Sequence, residues 1–344
     1  MIERLENASG TPGSIREWQN VDLEIFQTEI IPRQQPAVLR SLVKDWPAVK
    51  EGRKSPEHIC RYLKRFDTEK QANATVGSPA IKGRFFYRDD LRGFNFERKL
   101  VTVSTALDNL AAMIDEPDAP AIAMQAIPVA DVLPGFQQEN VLPLVDSALA
   151  PRMWLSNRSR IATHYDIYSN IACVVAGRRR FTLFPPDQVT NLYIGPLLAT
   201  PGGSPISMVD LREPDLSRYP RFEKALEVCQ QAELEPGDAI YIPILWWHSV
   251  EALSGLNALV NYWWNDAKTA ADSPFHSLLA SMLSISELPD DQRKIWQVFF
   301  DYFVFQTDVD PAEHLPDDIE DVLGSLTPEK RRQLKAWLAQ QLSA

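Results

Sequence analysis

A chain of 344 residues with 45% hydrophobic and 24% charged side chains sits near the soluble globular average and is too apolar to stay disordered over most of its length. Its net charge of −11 argues against a phosphate backbone as the main partner, since nucleic-acid binders carry a basic footprint. No apolar run is long enough to span a bilayer, and MIERLENASG lacks a cationic stretch ahead of an apolar one. With Cys60, Cys173 and Cys229 outside any CxxC spacing, the sequence reads as a cytoplasmic protein without a membrane partner.

The first 120 residues are mixed and partly helical. Ser55-Pro56-Glu57 sets a cap before a proline at the first helical position, and Ile59, Tyr62, Leu63 and Phe66 follow at helical spacing. Ser104 is expected to open a second helix, with Leu107, Leu110 and Ile114 on its apolar stripe. Gly83 to Glu97 reads as strand plus loop. From Ala119 to Trp264 short β-type runs follow one another, broken by Pro and Gly, which argues an antiparallel barrel or sandwich. Gly237-Asp238 is the expected turn before the strand that delivers His248, with Pro243 ending that strand.

After Asp266 the pattern turns helical. Asp290 to Gln306 places Ile295, Phe299, Tyr302 and Phe303 on one stripe, with Trp296, Phe300 and Phe305 off it. That is more apolar surface than a helix with one wet face carries, so this helix is expected to be buried, against a second subunit. A last helix is expected from Thr327-Pro328-Glu329. Pro311 to Asp321 is acidic and reads as a surface connection.

The chemistry lies in THYDIYSN. His164 and Asp166 are two residues apart, so on a strand both side chains share a face. A third ligand is needed, and ILWWHSVEAL offers His248. His58 lies in a surface helix, and His276 and His314 in the helical tail. Two histidines and one carboxylate on one face of an octahedron leave three open positions, which suits non-haem iron(II). An HxD pair alone reads first as a histidine hydrogen-bonded to an aspartate, and it is the surroundings that favour a metal site. Trp246 and Trp247 precede the ligand, at least one as packing, and Trp247 is also placed to shield a metal from water.

HYD…N…GRRRFTLFPPDQ, ELEPGDAIYIPILWWHSVEAL and NALVNYWW together resemble the cupin-like branch of the JmjC 2-oxoglutarate oxygenases, including asparaginyl hydroxylases of the factor-inhibiting-HIF type, over about residues 85–264. The resemblance implies a mainly β fold, a double-stranded β-helix (cupin jelly-roll) core with helical additions. Residues 1–118 then pack on the core, 119–266 form the catalytic β-helix, and 267–344 are a helical element for homodimerisation. It also implies Fe(II), 2-oxoglutarate and O2 as cofactor and co-substrates, with His164, Asp166 and His248 as the metal triad.

Asn170 and Asn261 match asparagines of the co-substrate region, and are equally readable as satisfying backbone groups. Trp263 matches a tryptophan behind the pocket and reads as packing. The family's co-substrate lysine falls on Arg179. Parity supports Arg179 pointing inward with Phe181 and Leu183, while Arg178 and Arg180 take the solvated face. An arginine can hold a carboxylate with a bidentate pair of hydrogen bonds. The family's threonine is Ile161 here and its tyrosine is Ala123. Tyr87 and Thr163 are the hydroxyls able to replace them, and both also read as structural. The implied substrate is a protein or peptide side chain. Alternatives are a small molecule or an RNA base, the latter disfavoured by the acidic charge, and a catalytically silent cupin-like binding protein.

Overall fold

The computed structural model describes residues 12–265, 272–306, 309–316 and 319–343. The chain forms two compact units, 1–266 and 267–344. Among the described residues of the first, fifteen strands follow in order: β1 (Gly13–Ser14), β2 (Arg16–Gln19), β3 (Ala37–Arg40), β4 (Ala72–Gly77), β5 (Arg84–Phe85), β6 (Phe96–Val101), β7 (Ala121–Pro128), β8 (Arg152–Ser156), β9 (Arg160–His164), β10 (Ser169–Ala176), β11 (Arg179–Phe184), β12 (Gln230–Leu234), β13 (Ala239–Ile242), β14 (Trp247–Ala252) and β15 (Asn257–Trp264). They make a six-stranded sheet, β1-β12-β11-β14-β9-β5, and a nine-stranded sheet, β2-β3-β13-β10-β15-β8-β7-β4-β6. One apolar cluster draws on both, with Ala172, Val174, Ile240 and Leu259 from the larger sheet and Phe181, Leu183 and Leu234 from the smaller. This is the jelly-roll core with helical additions.

The centre of the larger sheet is buried on both faces, which explains why β10 reads as an unbroken apolar run. Ala172 and Val174 turn into the barrel. Ile171, Cys173 and Val175 turn out onto a second core, formed with the helices Pro47–Lys54, Pro56–Lys64 and Val103–Ala112. Ser55 caps the second of these as expected, its side chain accepting from His58 N. The third begins earlier than expected, because Thr102 Oγ1 accepts from Thr105 N at 3.1 Å, while the Ser104 amide donates to Asp67.

Two expectations change. Residues before 119 supply strands to both sheets, because β1, β3 and β5 find their partners far along the chain, in β12, β13 and β9. The stretch around Pro243 is two strands in different sheets: β13 pairs with β10 and β3, whereas β14, which carries His248, pairs with β11 and β9. Proline cannot donate to the ladder, so the chain leaves one sheet there and crosses to the other.

The second unit holds the helices Pro274–Ile285, Asp290–Phe300 continued by a π-turn over Asp301–Phe305, and Pro328–Leu342 capped by Thr327. Within the single chain Trp296, Phe299, Phe303 and Phe305 of the aromatic helix are all exposed. The acidic stretch 311–321 lies partly outside the described residues, and within it Ala312 is buried. Among the described residues no helix is long and apolar enough to cross a membrane.

Candidate metal centre

His164 ends β9 and stands directly across from His248 on β14, their rings 4.2 Å apart between centroids. Asp166 is two residues past the end of β9, so the strand alone does not aim it. Its carbonyl accepts from Leu245 N at 3.0 Å, and its Oδ2 accepts from Trp263 Nε1 at 3.1 Å. The three side chains bring one ligating atom each within 4.8 Å of one another, as the metal-ligating group found among the described residues.

Both histidines are pinned from behind. Nδ1 of His164 lies 2.9 Å from Ala162 O and Nδ1 of His248 lies 3.0 Å from Trp246 O. A carbonyl only accepts, so each Nδ1 carries the proton and each Nε2 keeps its lone pair. Burial first, and His164 beside it, push His248 down to about 4. It is therefore neutral at ordinary pH, as a ligand must be.

A cavity of about 50 Å³ runs from these three residues into the barrel, past Asn170, Phe181, Leu259 and Asn261 to Arg179. Arg179 is 4% exposed, and its Nε and Nη2 have no hydrogen-bond partner in the structure. Burial pushes its guanidinium down to about 10, still cationic at neutral pH. An unpaired cation so deeply buried costs several kcal/mol unless an anion meets it. Arg178 is half exposed, as parity expects. Arg180 departs from expectation: it is only partly exposed and ion-paired, between Glu233 at 2.5 Å and Glu251 at 3.2 Å, because β12 and β14 place carboxylates opposite it.

The asparagines do not serve the backbone. Asn170 Nδ2 reaches Asp166 Oδ2 at 3.5 Å while its Oδ1 has no partner. Asn261 Oδ1 accepts from Trp154 Nε1 at 2.9 Å. Trp263 does more than pack, since it holds Asp166. The two hydroxyl candidates lie elsewhere: Tyr87 is committed to Ala199 O at 2.7 Å, and Thr163 lines a cleft on the other face of β9. Among the described residues no Ser, Thr or Tyr lines the barrel cavity. Ile161 lines it, and Ala123 belongs to an apolar cluster that Ile161 packs against.

Trp246 lies in the barrel core, and Trp247 packs with Phe184, Leu192 and Phe222, so Trp247 does not shield the metal side. Trp154 escaped the sequence reading. Its signal was the alternation in RMWLS, where Met153 and Leu155 take the outer core and Trp154 the barrel.

The fit to iron(II) and 2-oxoglutarate rests on this donor set: two neutral imidazoles and a carboxylate on one side of the cavity, and an unpaired guanidinium at its far end. The cupin-like domain family matches residues 23–270. Over 300 residues the chain is 26% identical to the human bifunctional peptidase and (3S)-lysyl hydroxylase JMJD7, covering 77% of this chain and 88% of that protein. It is 40% identical over 112 residues to the Arabidopsis thaliana lysine-specific demethylase JMJ31, 32% of this chain and 20% of that protein. To the Danio rerio tRNA wybutosine-synthesizing protein 5 it is 32% identical over 149 residues, 39% of this chain and 43% of that protein. The chain thus spans less than half the length of the latter two.

Proposed function

The chain belongs to the cupin-like domain family, and from that premise we propose that it is an iron(II)- and 2-oxoglutarate-dependent oxygenase hydroxylating a C–H bond of a protein or peptide side chain. The observation that carries this is Arg179, a buried guanidinium with two unpaired nitrogens facing the same cavity as His164, Asp166 and His248. With iron(II) bound, 2-oxoglutarate and O2 supply the chemistry: one oxygen atom enters the C–H bond as hydroxyl, the other enters succinate, and CO2 leaves.

The protein's own residues prepare for it. His164 and His248 present Nε2 lone pairs, held by the carbonyls behind them. Trp263 and Asn170 orient Asp166. Arg179 takes the distal carboxylate of the co-substrate, and the Asn170 and Asn261 amides flank its path. The apolar walls, Phe181, Val250 and Leu259 among them, keep bulk water out and strengthen each charge interaction. A protein substrate is favoured because JMJD7, the relative named as a lysyl hydroxylase, matches most of the chain. A tRNA substrate, as the name of another relative indicates for that protein, fits poorly with a net charge of −11.

The test is iron-dependent conversion of 2-oxoglutarate to succinate, followed by a search for one-oxygen mass gains in candidate peptides. Activity should vanish in His164→Ala and Asp166→Ala. Wild-type turnover in either removes the ligand assignment, and a reconstituted protein that neither binds nor consumes 2-oxoglutarate is the silent binding protein instead.

Residues 119–266 are the catalytic core in this reading, and 267–344 the dimerisation element. The exposed Trp296, Phe299, Phe303, Val304 and Phe305 form an apolar face that a second copy would cover. A monomeric mass by light scattering refutes the homodimer. Three buried free thiols suit the reducing cytoplasm; recovery in an oxidising compartment by fractionation would refute that placement.

A further inference from the structure

The outer face of the six-stranded sheet carries charged side chains that the oxygenase reading leaves unused. A cleft of about 710 Å³ lies there, within the range of roughly 300–1,000 Å³ typical of small-molecule sites. Strand alternation puts it back to back with the metal centre. On β9 His164 faces the barrel and Thr163 the cleft, and an irregularity in the β9–β14 pairing between His248 and Val250 brings Arg160, opposite Glu251, to the cleft side too; on β14 His248 faces the barrel and Ser249 and Glu251 the cleft, and on β11 Arg179 and Arg180 divide in the same way.

The guanidiniums of Arg84, Arg160, Arg180 and Arg212 line the cleft against three carboxylates, Asp210, Glu233 and Glu251. Every carboxylate is shared. Asp210 serves Arg160 at 3.1 Å and Arg84 at 3.5 Å. Glu251 serves Arg180 at 3.2 Å and also Arg212. Glu233 serves Arg180 at 2.5 Å and, outside the cleft, Arg178 at 3.7 Å. The lining therefore holds one more cation than anion, on a chain whose net charge is −11. Arg84 also lies 3.7 Å above the Phe86 ring, further from water. Burial, with Arg160 adding to it, holds Arg84 and Arg212 below the ordinary guanidinium range. This positive charge is crowded and incompletely neutralised.

A second observation comes from Thr163. It is 1% exposed, it lines this cleft, and its Oγ1 has no hydrogen-bond partner in the structure. A buried hydroxyl left unpaired costs about 1–3 kcal/mol. Next to guanidiniums, the complement of an O–H donor is an anionic acceptor. The opposite wall is apolar, with Val209, Leu211, Leu226 and Leu253.

We propose that this cleft binds a small organic anion, with a phosphate monoester or paired-carboxylate head held by Thr163, Arg160 and Arg212 and an apolar body on the leucine wall. Titration calorimetry of the full chain with phenyl phosphate and with phthalate, against inorganic phosphate at matched ionic strength, tests it and tells the two head groups apart. At least one aromatic anion should bind saturably and more tightly than inorganic phosphate. Thr163→Val should weaken it about tenfold, the loss of one hydrogen bond to a charged group, without lowering the Tm. Arg212→Gln should weaken it as well, and Arg179→Gln should leave it unchanged. Absence of saturable binding by both aromatic anions overturns the proposal. So does equal binding by Thr163→Val, which reports even if Arg212→Gln fails to fold, and so does loss in Arg179→Gln, which would put the anion in the barrel.

Discussion

Replacing Arg179 with methionine should move stability and co-substrate binding in opposite directions. Burial drives the guanidinium from its ordinary range down to about 10 with no partner to offset it. At about 1.36 kcal/mol per pH unit, keeping that charge in the empty barrel costs up to about 3 kcal/mol. Methionine retains much of the apolar stem and needs no hydrogen bond, so the metal-free variant should be about 1–3 kcal/mol more stable, with a Tm raised by roughly 2–6 °C. Binding of 2-oxoglutarate should fall. Two charge-assisted bonds, from Nε and Nη2, are worth about 1.5–3 kcal/mol each, so the requirement for 2-oxoglutarate should rise at least ~100-fold. Calorimetric melting of metal-free protein and succinate formation against 2-oxoglutarate concentration read the two effects. Arg178→Ala, half exposed and 3.7 Å from Glu233, should alter neither much. A less stable Arg179→Met with an unchanged 2-oxoglutarate requirement would make Arg179 a structural cation, and equal effects at both positions would defeat the parity argument.

Trp263→Phe removes the donor to Asp166 Oδ2 and should weaken divalent-metal binding about 10- to 100-fold; equal affinity in a Co(II) titration would show that Asp166 is aimed by something else. Metal-free protein should lose stability in mild acid. Unfolded histidine protonates near 6.5, whereas native His248 stays neutral down to about 4, so the unfolded state binds more protons between those values. The stabilisation, up to about 3 kcal/mol, is complete above 6.5 and lost as pH falls through 4. Urea unfolding with a chelator at several pH values checks this, and a slope equally steep in His248→Gln would assign it elsewhere. Gly177, at φ +72 between β10 and β11, has no room for a Cβ, which would lie 2.4 Å from Asn257 Oδ1 and 2.5 Å from Leu256 O. Gly177→Ala should cost more than about 2 kcal/mol, while Gly202→Ala, with nothing within 4 Å, should be neutral in the same melts.

What the sequence by itself determined was local. The period-two alternation separates Arg179 from its two neighbours, the Ser55 cap starts its helix, and the spacing of His164 and Asp166 offers two ligands to one ion. Only the tertiary structure decided which faces meet. Asp166 lies beyond the end of β9 and depends on Trp263 and Leu245, more than 70 residues on. Arg180 lies on the face assigned to solvent, yet is only partly exposed, paired with the carboxylates Glu233 and Glu251 that β12 and β14 bring to it. Thr163 adjoins a metal-ligand candidate in the chain and still looks away from it, into the outer cleft. Composition tells how much apolar surface the aromatic helix has, and within one chain that surface stays exposed. Periodicity fixes the two sides of a strand, but which side faces the cavity depends on partners brought together by distant pairing, and no local pattern records that.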